Sequence, residues 1–441
     1  MFVGIRYFFF LVLFGVLIFI LFNVQVSSGL IGFLLVRSSG LCPDPCLHLN
    51  ISMHTITGVP RGVNVVLVTG GAGFIGSNLV DKLLSLGYYV RVLDNLATGD
   101  IRYLPLDNPR LDVIFGSIVN YDLVYRVMTT PLVLNSSEYF ISGIFHLAAM
   151  SKVGPSLKDP SVVDLCIASN VQGTANVLRA ATTARNDGLI NDKVKLVYAG
   201  SSTYYGNQKV PFNERDLFSP SSTYAASKYQ GELLVKTWDN LYNLPTTTLR
   251  FFMVWGPRQP RTGAYAIVTG VFADQIDKGQ PLTIEGDGSH FRVATALILA
   301  LQSDIRNTDS INIGTGKAVT VREIANLIST DQVRLPERVH DLVGTCADTC
   351  RAKQVLKFVA RHDIFTELQA FLRENRNKHT NSNSMTAMSR FWEEIELGSL
   401  DVNSYFYNKS SAILLKRAKS VVYISRNGTC QLCQSSKVWE F

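Results

Sequence analysis

Residues 64–76, Asn-Val-Val-Leu-Val-Thr-Gly-Gly-Ala-Gly-Phe-Ile-Gly, decide the fold of this chain. The first six positions carry no charge and are rich in valine, the pattern of a strand buried on both faces. Gly70, Gly73 and Gly76 follow at GxxGxxG spacing. Beyond them Ile75, Leu79 and Leu83 recur every four residues, which predicts a helix over 74–86 that Gly87 can end. Tyr89 to Leu93 reads as the next strand, so the stretch is one βαβ unit. Further buried-strand runs at 143–147, 195–199 and 247–254 alternate with helical stretches at 164–185 and 223–242. The class expected is α/β: a Rossmann-type, doubly wound parallel sheet with a smaller C-terminal α/β substrate lobe.

Outside this body the chain changes character. Residues 1–62 are an apolar N-terminal segment and linker, 63–375 the enzyme-like domain with lobes at about 63–250 and 251–375, and 376–441 a polar, poorly defined tail. With 47% hydrophobic and 17% charged residues, the composition excludes a disordered, collagen-like or coiled-coil chain. The net charge of +7 is carried by the ends: 30 basic residues face 29 acidic ones in the body, so no nucleic-acid partner is expected. Tyr7 to Phe22, continuing into Leu30 to Val36, has the pattern of a signal anchor, implying an endomembrane or Golgi-type protein anchored through residues 7–36. Translation from Met53 would instead imply a cytoplasmic one. Seven cysteines form no zinc-ribbon set, no metal is expected, and Cys346 and Cys350 read as ordinary small residues.

Two constellations carry chemistry. In the first turn, Gly70 permits the tight bend, Gly73 lets the backbone approach a diphosphate, and Gly76 allows close helix packing. The helix N-terminus that follows, with Phe74 and Ile75, attracts an anion. Asp94, at the end of the second strand, is placed to accept hydrogen bonds from the adenosine ribose of NAD and to repel the 2′-phosphate of NADP. The second constellation is Tyr224-Ala-Ala-Ser-Lys228, whose i, i+4 spacing puts phenol and ammonium on one helical face. A nearby cation is expected to lower the tyrosine pKa, so that Tyr224 can take a proton from a substrate hydroxyl while Lys228 also holds the nicotinamide ribose. Ser201, after a buried strand, is the third member.

These motifs resemble the extended short-chain dehydrogenase/reductase family, and within it the NAD-dependent nucleotide-sugar epimerases and dehydratases. The resemblance covers about 64–372, through TGGAGFIG (69–76), VLDNLATG (92–99), HLAAMSKVGPSLKDP (146–160), NVQGTANVL (170–178), SSTYYG (201–206), YAASK (224–228), LRFFMVWGPRQ (249–259), GDGSHFR (286–292) and RLPERVHD (334–341). It implies that Asn95, Ile118 and Leu147 to Ala149 (Leu147, Ala148, Ala149) line the cofactor and that Asn170 supports the active-site helix. Phe251 and Phe252 would border the nicotinamide. Thr203, Arg292, Arg338 and Asp341 would hold the sugar nucleotide, with the nucleotide diphosphate and ribose falling to the last three. A homodimer through the Tyr224 helix is implied as well.

All these enzymes move the C4 hydride of the sugar to NAD. The family's 4,6-dehydratases carry Asp-Glu after the serine and its UDP-glucuronate decarboxylases a glutamate, whereas this chain has Ser202 and Thr203. An epimerase needs no acid there, so the expected activity is a UDP-hexose or UDP-uronate 4-epimerase. A 4,6-dehydratase, a decarboxylase or an inactive NAD-binding relative is the alternative. Three departures from the family stand out. Some eight residues are missing between Arg292 and Val293, which puts a strand of the substrate lobe and activity in question; Met253 replaces Asn or Thr; and Ser117 replaces the Asp that receives the adenine amino group.

Overall fold

The computed structural model describes residues 64–360, except 135, 152, 255, 261–270, 273, 276–277, 281, 285–292, 307–309, 318–320 and 335–343, together with 421–424 and 430–433. The apolar run 7–36, Arg292, Arg338, Asp341 and the junction after Arg292 therefore lie outside the described residues. Among the described residues no helix is long and apolar enough to cross a membrane.

Seven strands form one sheet: β1 (Val65–Thr69), β2 (Tyr89–Asp94), β3 (Leu111–Phe115), β4 (Ile141–His146), β5 (Lys195–Ser201), β6 (Thr246–Phe251) and β7 (Ile311–Ile313). Their order is β7-β6-β5-β4-β1-β2-β3, and every pairing is parallel. From β1 the chain winds outward to β3, then returns to β4 on the other side. The crevice above the β1/β4 switch point is where such a sheet binds ligands.

The chain's helices include α1 (Phe74–Ser85), α2 (Tyr121–Thr129), α3 (Gly173–Asn186), α4 (Thr223–Tyr242), α5 (Val293–Gln302) and α6 (Cys350–Leu356). The period-2 alternation of β1 sorts its side chains between two cores. Val66 and Val68 pack with Leu79 of α1 and Leu297 of α5, while Val65 and Leu67 pack with Val124 of α2, Val177 of α3 and Val235 of α4. All four of these β1 valine and leucine residues are at most 2% exposed, which is why the strand reads as a continuous apolar run.

Several boundaries differ from the sequence reading. The strand expected at 247–254 ends at Phe251, and β3, which alternates and opens Leu-Asp-Val, carries no continuous apolar run to mark it. Asp112 on β3 is there to pair with buried Arg91 on β2 at 2.8 Å. The helix expected at 164–185 is interrupted by a π-helical turn, Ile167–Gln172, a feature common at functional sites. The chain after 251 also returns to the main sheet, supplying β7 and α5, while Leu282–Ile284 and Gln332–Arg334 pair separately. Cys346 and Cys350 are not the ordinary small residues expected, since both are disulfide-bonded. Which sulfurs meet is decided by tertiary approach, and a spacing of four cannot reveal it.

Candidate active site

The turn between β1 and α1 is built on steric necessity. Gly70 has φ +73°, where a side chain is strained, and a Cβ on Gly76 would lie 2.0 Å from the Gly70 carbonyl oxygen. The N-cap of α1 is Gly73, which makes no side-chain cap, and no acidic residue occupies the first turn. The first N–H groups of the helix are thus left to an anionic ligand. Asp94 is 7% exposed, and its two carboxylate oxygens accept from Ala72 N at 2.9 Å and Leu96 N at 2.8 Å. Burial raises its pKa, and these backbone donors work against that rise.

A cleft of about 590 Å³ opens at this point. Gly70, Gly73, Phe74, Ile75, Gly76, Asp94, Asn95, Ile118, Leu147, Ala148 and Ala149 all line it, as do Ser117 and, unforeseen, Thr98, Ser151 and Ser169. Phe251 and Phe252 do not, and neither do Ser201, Tyr224 and Lys228. Phe251 is 8% exposed in the core, and Phe252 is buried in an aromatic cluster with Tyr205 and Phe212. The cleft reaches Ala199, two residues before Ser201 on β5.

Ser222 caps α4 through a bond from Ala225 N at 3.1 Å, which starts the helix so that Tyr224 lies in its first turn and Lys228 in its second. Lys228 is 3% exposed, with Nζ 4.2 Å from the centre of the Tyr198 ring, and the Tyr198 hydroxyl donates to its carbonyl at 3.2 Å. From the π-helical turn, Asn170 donates to Ser227 Oγ at 2.9 Å and to Met150 O at 3.0 Å, tying α4 to the loop after β4. Ser201 stands at the C-terminal end of β5, its Oγ accepting from Thr203 N at 3.3 Å and 2.9 Å from Thr203 Oγ1. His146 is locked between Thr69 and Thr174 and, being buried, is pushed down to about 3, so it is neutral.

The electrostatics differ from the expected lowering of Tyr224 by its lysine. Burial dominates: it raises the Tyr224 pKa, with a hydrogen bond from Ser201 pulling it back. The same burial pushes Lys228 down to about 7, and Glu232, one turn further on, opposes the fall. A lysine half-charged near neutrality is a weaker partner for a phenolate than a full cation would be.

A glycine-rich turn opening onto a cleft of a Rossmann-type sheet, with Ser201 hydrogen-bonded to Tyr224 and Lys228 one helical turn further on, is the arrangement of a nucleotide-dependent enzyme of the dehydrogenase type. A family profile described as GDP-mannose 4,6 dehydratase matches residues 67–366, and the chain belongs to that family. It is 33% identical over 304 residues to the UDP-glucose 4-epimerase of Mycolicibacterium smegmatis, spanning 66% of this chain and 91% of that one. Among solved structures, it resembles a UDP-N-acetylglucosamine 4-epimerase from Methanobrevibacter ruminantium M1 in complex with UDP-N-acetylmuramic acid, with TM-score 0.63, 29% identity, and 72% and 100% of the two chains covered. A mutant UDP-glucuronic acid 4-epimerase from Bacillus cereus, in complex with UDP-4-deoxy-4-fluoro-glucuronic acid and NAD, matches with TM-score 0.61 and 25% identity, covering 71% and 99%.

Proposed function

We propose that this chain is an NAD-dependent 4-epimerase of a UDP-hexose or UDP-uronate. The observation that carries the choice is the turn after Ser201, Ser202–Tyr205, which holds no acidic residue for elimination or decarboxylation. The forced glycines at 70 and 76, the uncapped α1 N-terminus and pinned Asp94 fit NAD, and the relatives' ligands support a UDP-sugar. NAD, held by the turn from Gly70 to Gly76 and by Asp94, would supply reversible hydride-transfer chemistry at C4 of the sugar. The chain's own residues manage the proton. Tyr224 takes it from the 4-hydroxyl and returns it, Ser201 hydrogen-bonds the same oxygen, and Lys228, charged as the pH falls below about 7, stabilises the phenolate and holds the nicotinamide ribose.

Incubation with UDP-glucose, UDP-glucuronate and dTDP-glucose, followed by NMR, tests the reading. A 4-epimer is expected; a pentose or a 4-keto-6-deoxy sugar would assign the chain to the decarboxylases or dehydratases. Tyr224→Phe should lower kcat by roughly 10²–10⁴-fold while leaving nucleotide-sugar binding nearly intact.

We also propose a homodimer through α4, supported by three exposed side chains: Leu233 on α4, Leu165 on the short helix Val162–Cys166 and Ile167 at the start of the π-helical turn. Sedimentation of Leu165→Glu and Leu233→Glu variants tests it. The signal-anchor reading of residues 7–36 rests on the apolar run itself. Membrane fractionation of the full chain against one starting at Met53 checks it.

A further inference from the structure

We infer that Tyr204 is a positioning residue for Ser201: its buried phenol oxygen accepts the Ser201 N–H at 2.6 Å and so sets the direction in which Oγ is presented. The inference rests on the proposed role of Ser201. Ser201 closes β5 in extended conformation and caps the 3₁₀ turn Ser202–Tyr205. Its Oγ accepts from Thr203 N, while the Tyr204 hydroxyl reaches back to its N–H, a reciprocal pair that fixes both ends of one residue. In the usual form of this device the side chain reaching back is Glu or Gln. A phenol does the work here, and burial keeps it protonated by raising its pKa well above 10. That choice spares Tyr224 a neighbouring negative charge, which would oppose formation of its own phenolate.

The packing around Tyr204 is specific. It is fully buried, its ring is edge-on to Phe218 at 5.6 Å and tilted on Tyr229 of α4 at 5.7 Å. A Cβ at Gly200 would come within 2.9 Å of the phenol oxygen, so the glycine before Ser201 makes room for the hydroxyl that holds it. Tyr204 therefore links the last residue of β5, through its hydroxyl, to the helix that carries Tyr224, through its ring.

Tyr204→Phe removes one oxygen and keeps the ring. With UDP-glucose and UDP-glucuronate as probes, kcat should fall about tenfold and KM change by less than about twofold. In a Ser201→Ala background the same change should have almost no further effect, since Tyr204 acts through Ser201. Exchange of the Ser201 amide hydrogen, followed by mass spectrometry, should accelerate in Tyr204→Phe whether or not either sugar is turned over. Gly200→Ala, whose methyl would meet the phenol oxygen at 2.9 Å and also press on Thr248 and the Leu249 carbonyl at 3.0 and 3.1 Å, should repeat the faster Ser201 amide exchange and the lower kcat if Tyr204→Phe fails to fold. An unchanged kcat in Tyr204→Phe alongside a crippled Ser201→Ala overturns the positioning role and leaves the epimerase reading standing. Multiplicative losses in the double variant, or equal amide exchange in parent and variant, overturn it too. A fully active Ser201→Ala would remove the assignment of Ser201 and this inference with it.

Discussion

Glu232 and Arg250 join the helix that carries Tyr224 to the strand beneath it, and Glu232→Gln should be one of the most damaging isosteric changes in the chain. The two side chains are 0% and 1% exposed and meet through Arg250 Nη2 at 2.7 Å and Nε at 3.2 Å. The carboxylate also accepts from Ser310 Oγ at 2.5 Å and Lys236 Nζ at 2.9 Å. Its pKa is lowered despite burial, by Arg250 first and Lys236 next, so the pair is charged. Removing one partner of a buried pair costs about 3–5 kcal/mol. In Glu232→Gln, Arg250 keeps Tyr205 Oη at 2.7 Å and the Glu214 carbonyl at 3.0 Å but loses the carboxylate it is bonded to, leaving only the attraction of the nearby Glu214 carboxylate, which places the loss within that range. In Arg250→Met, Glu232 keeps Lys236 and Ser310, and the loss should be about 1–2 kcal/mol smaller. The double variant Glu232→Leu/Arg250→Met should lie within about 2 kcal/mol of the parent, because replacing the whole pair with apolar groups removes both desolvation penalties. Urea unfolding at pH 7 on all four proteins gives the three losses directly. A Glu232→Gln loss under about 1 kcal/mol, or one smaller than that of Arg250→Met, refutes this account of what holds α4 to β6.

Three further outcomes are expected. Lys228 titrates at about 7 when folded and near 10.5 when unfolded, so the unfolded chain holds the extra proton between those values. The protein without cofactor should therefore gain up to about 1.4 kcal/mol of stability per pH unit as pH rises through that window, and the difference from Lys228→Met in urea titrations at several pH values isolates the contribution. Gly76→Ala must open the turn, since the new methyl would overlap the Gly70 carbonyl; NAD affinity should drop by at least tenfold in calorimetry, with stability falling by about 1–3 kcal/mol. Asp94→Ala should narrow a preference for NAD over NADP, and equal binding of the two by the parent would sink that reading of the β2 end.

Much of the fold was legible in the sequence because its causes are local. The uncharged valine run of β1, the fourfold recurrence in α1 and the intolerance of a Cβ at Gly76 act over a few residues, and the cofactor candidates of the glycine turn and of Asp94 to Asn95 all line one cleft. The placing of Tyr224 and Lys228 on successive turns of one helix was legible for the same reason. What tertiary structure decided depends on groups far apart in the chain. The cap on Ser201 arises because Gly200, Phe218 and Tyr229 shape a pocket for one phenol, and the Arg250 network draws on residues from 205 to 310. The disulfide state of Cys346 and Cys350 and the interruption at Ile167–Gln172 likewise carry no local signature. The balance at Tyr224 and Lys228 was misjudged from sequence because spacing reports only their proximity. Desolvation is set by everything packed around them, and in this site it outweighs the attraction between neighbours.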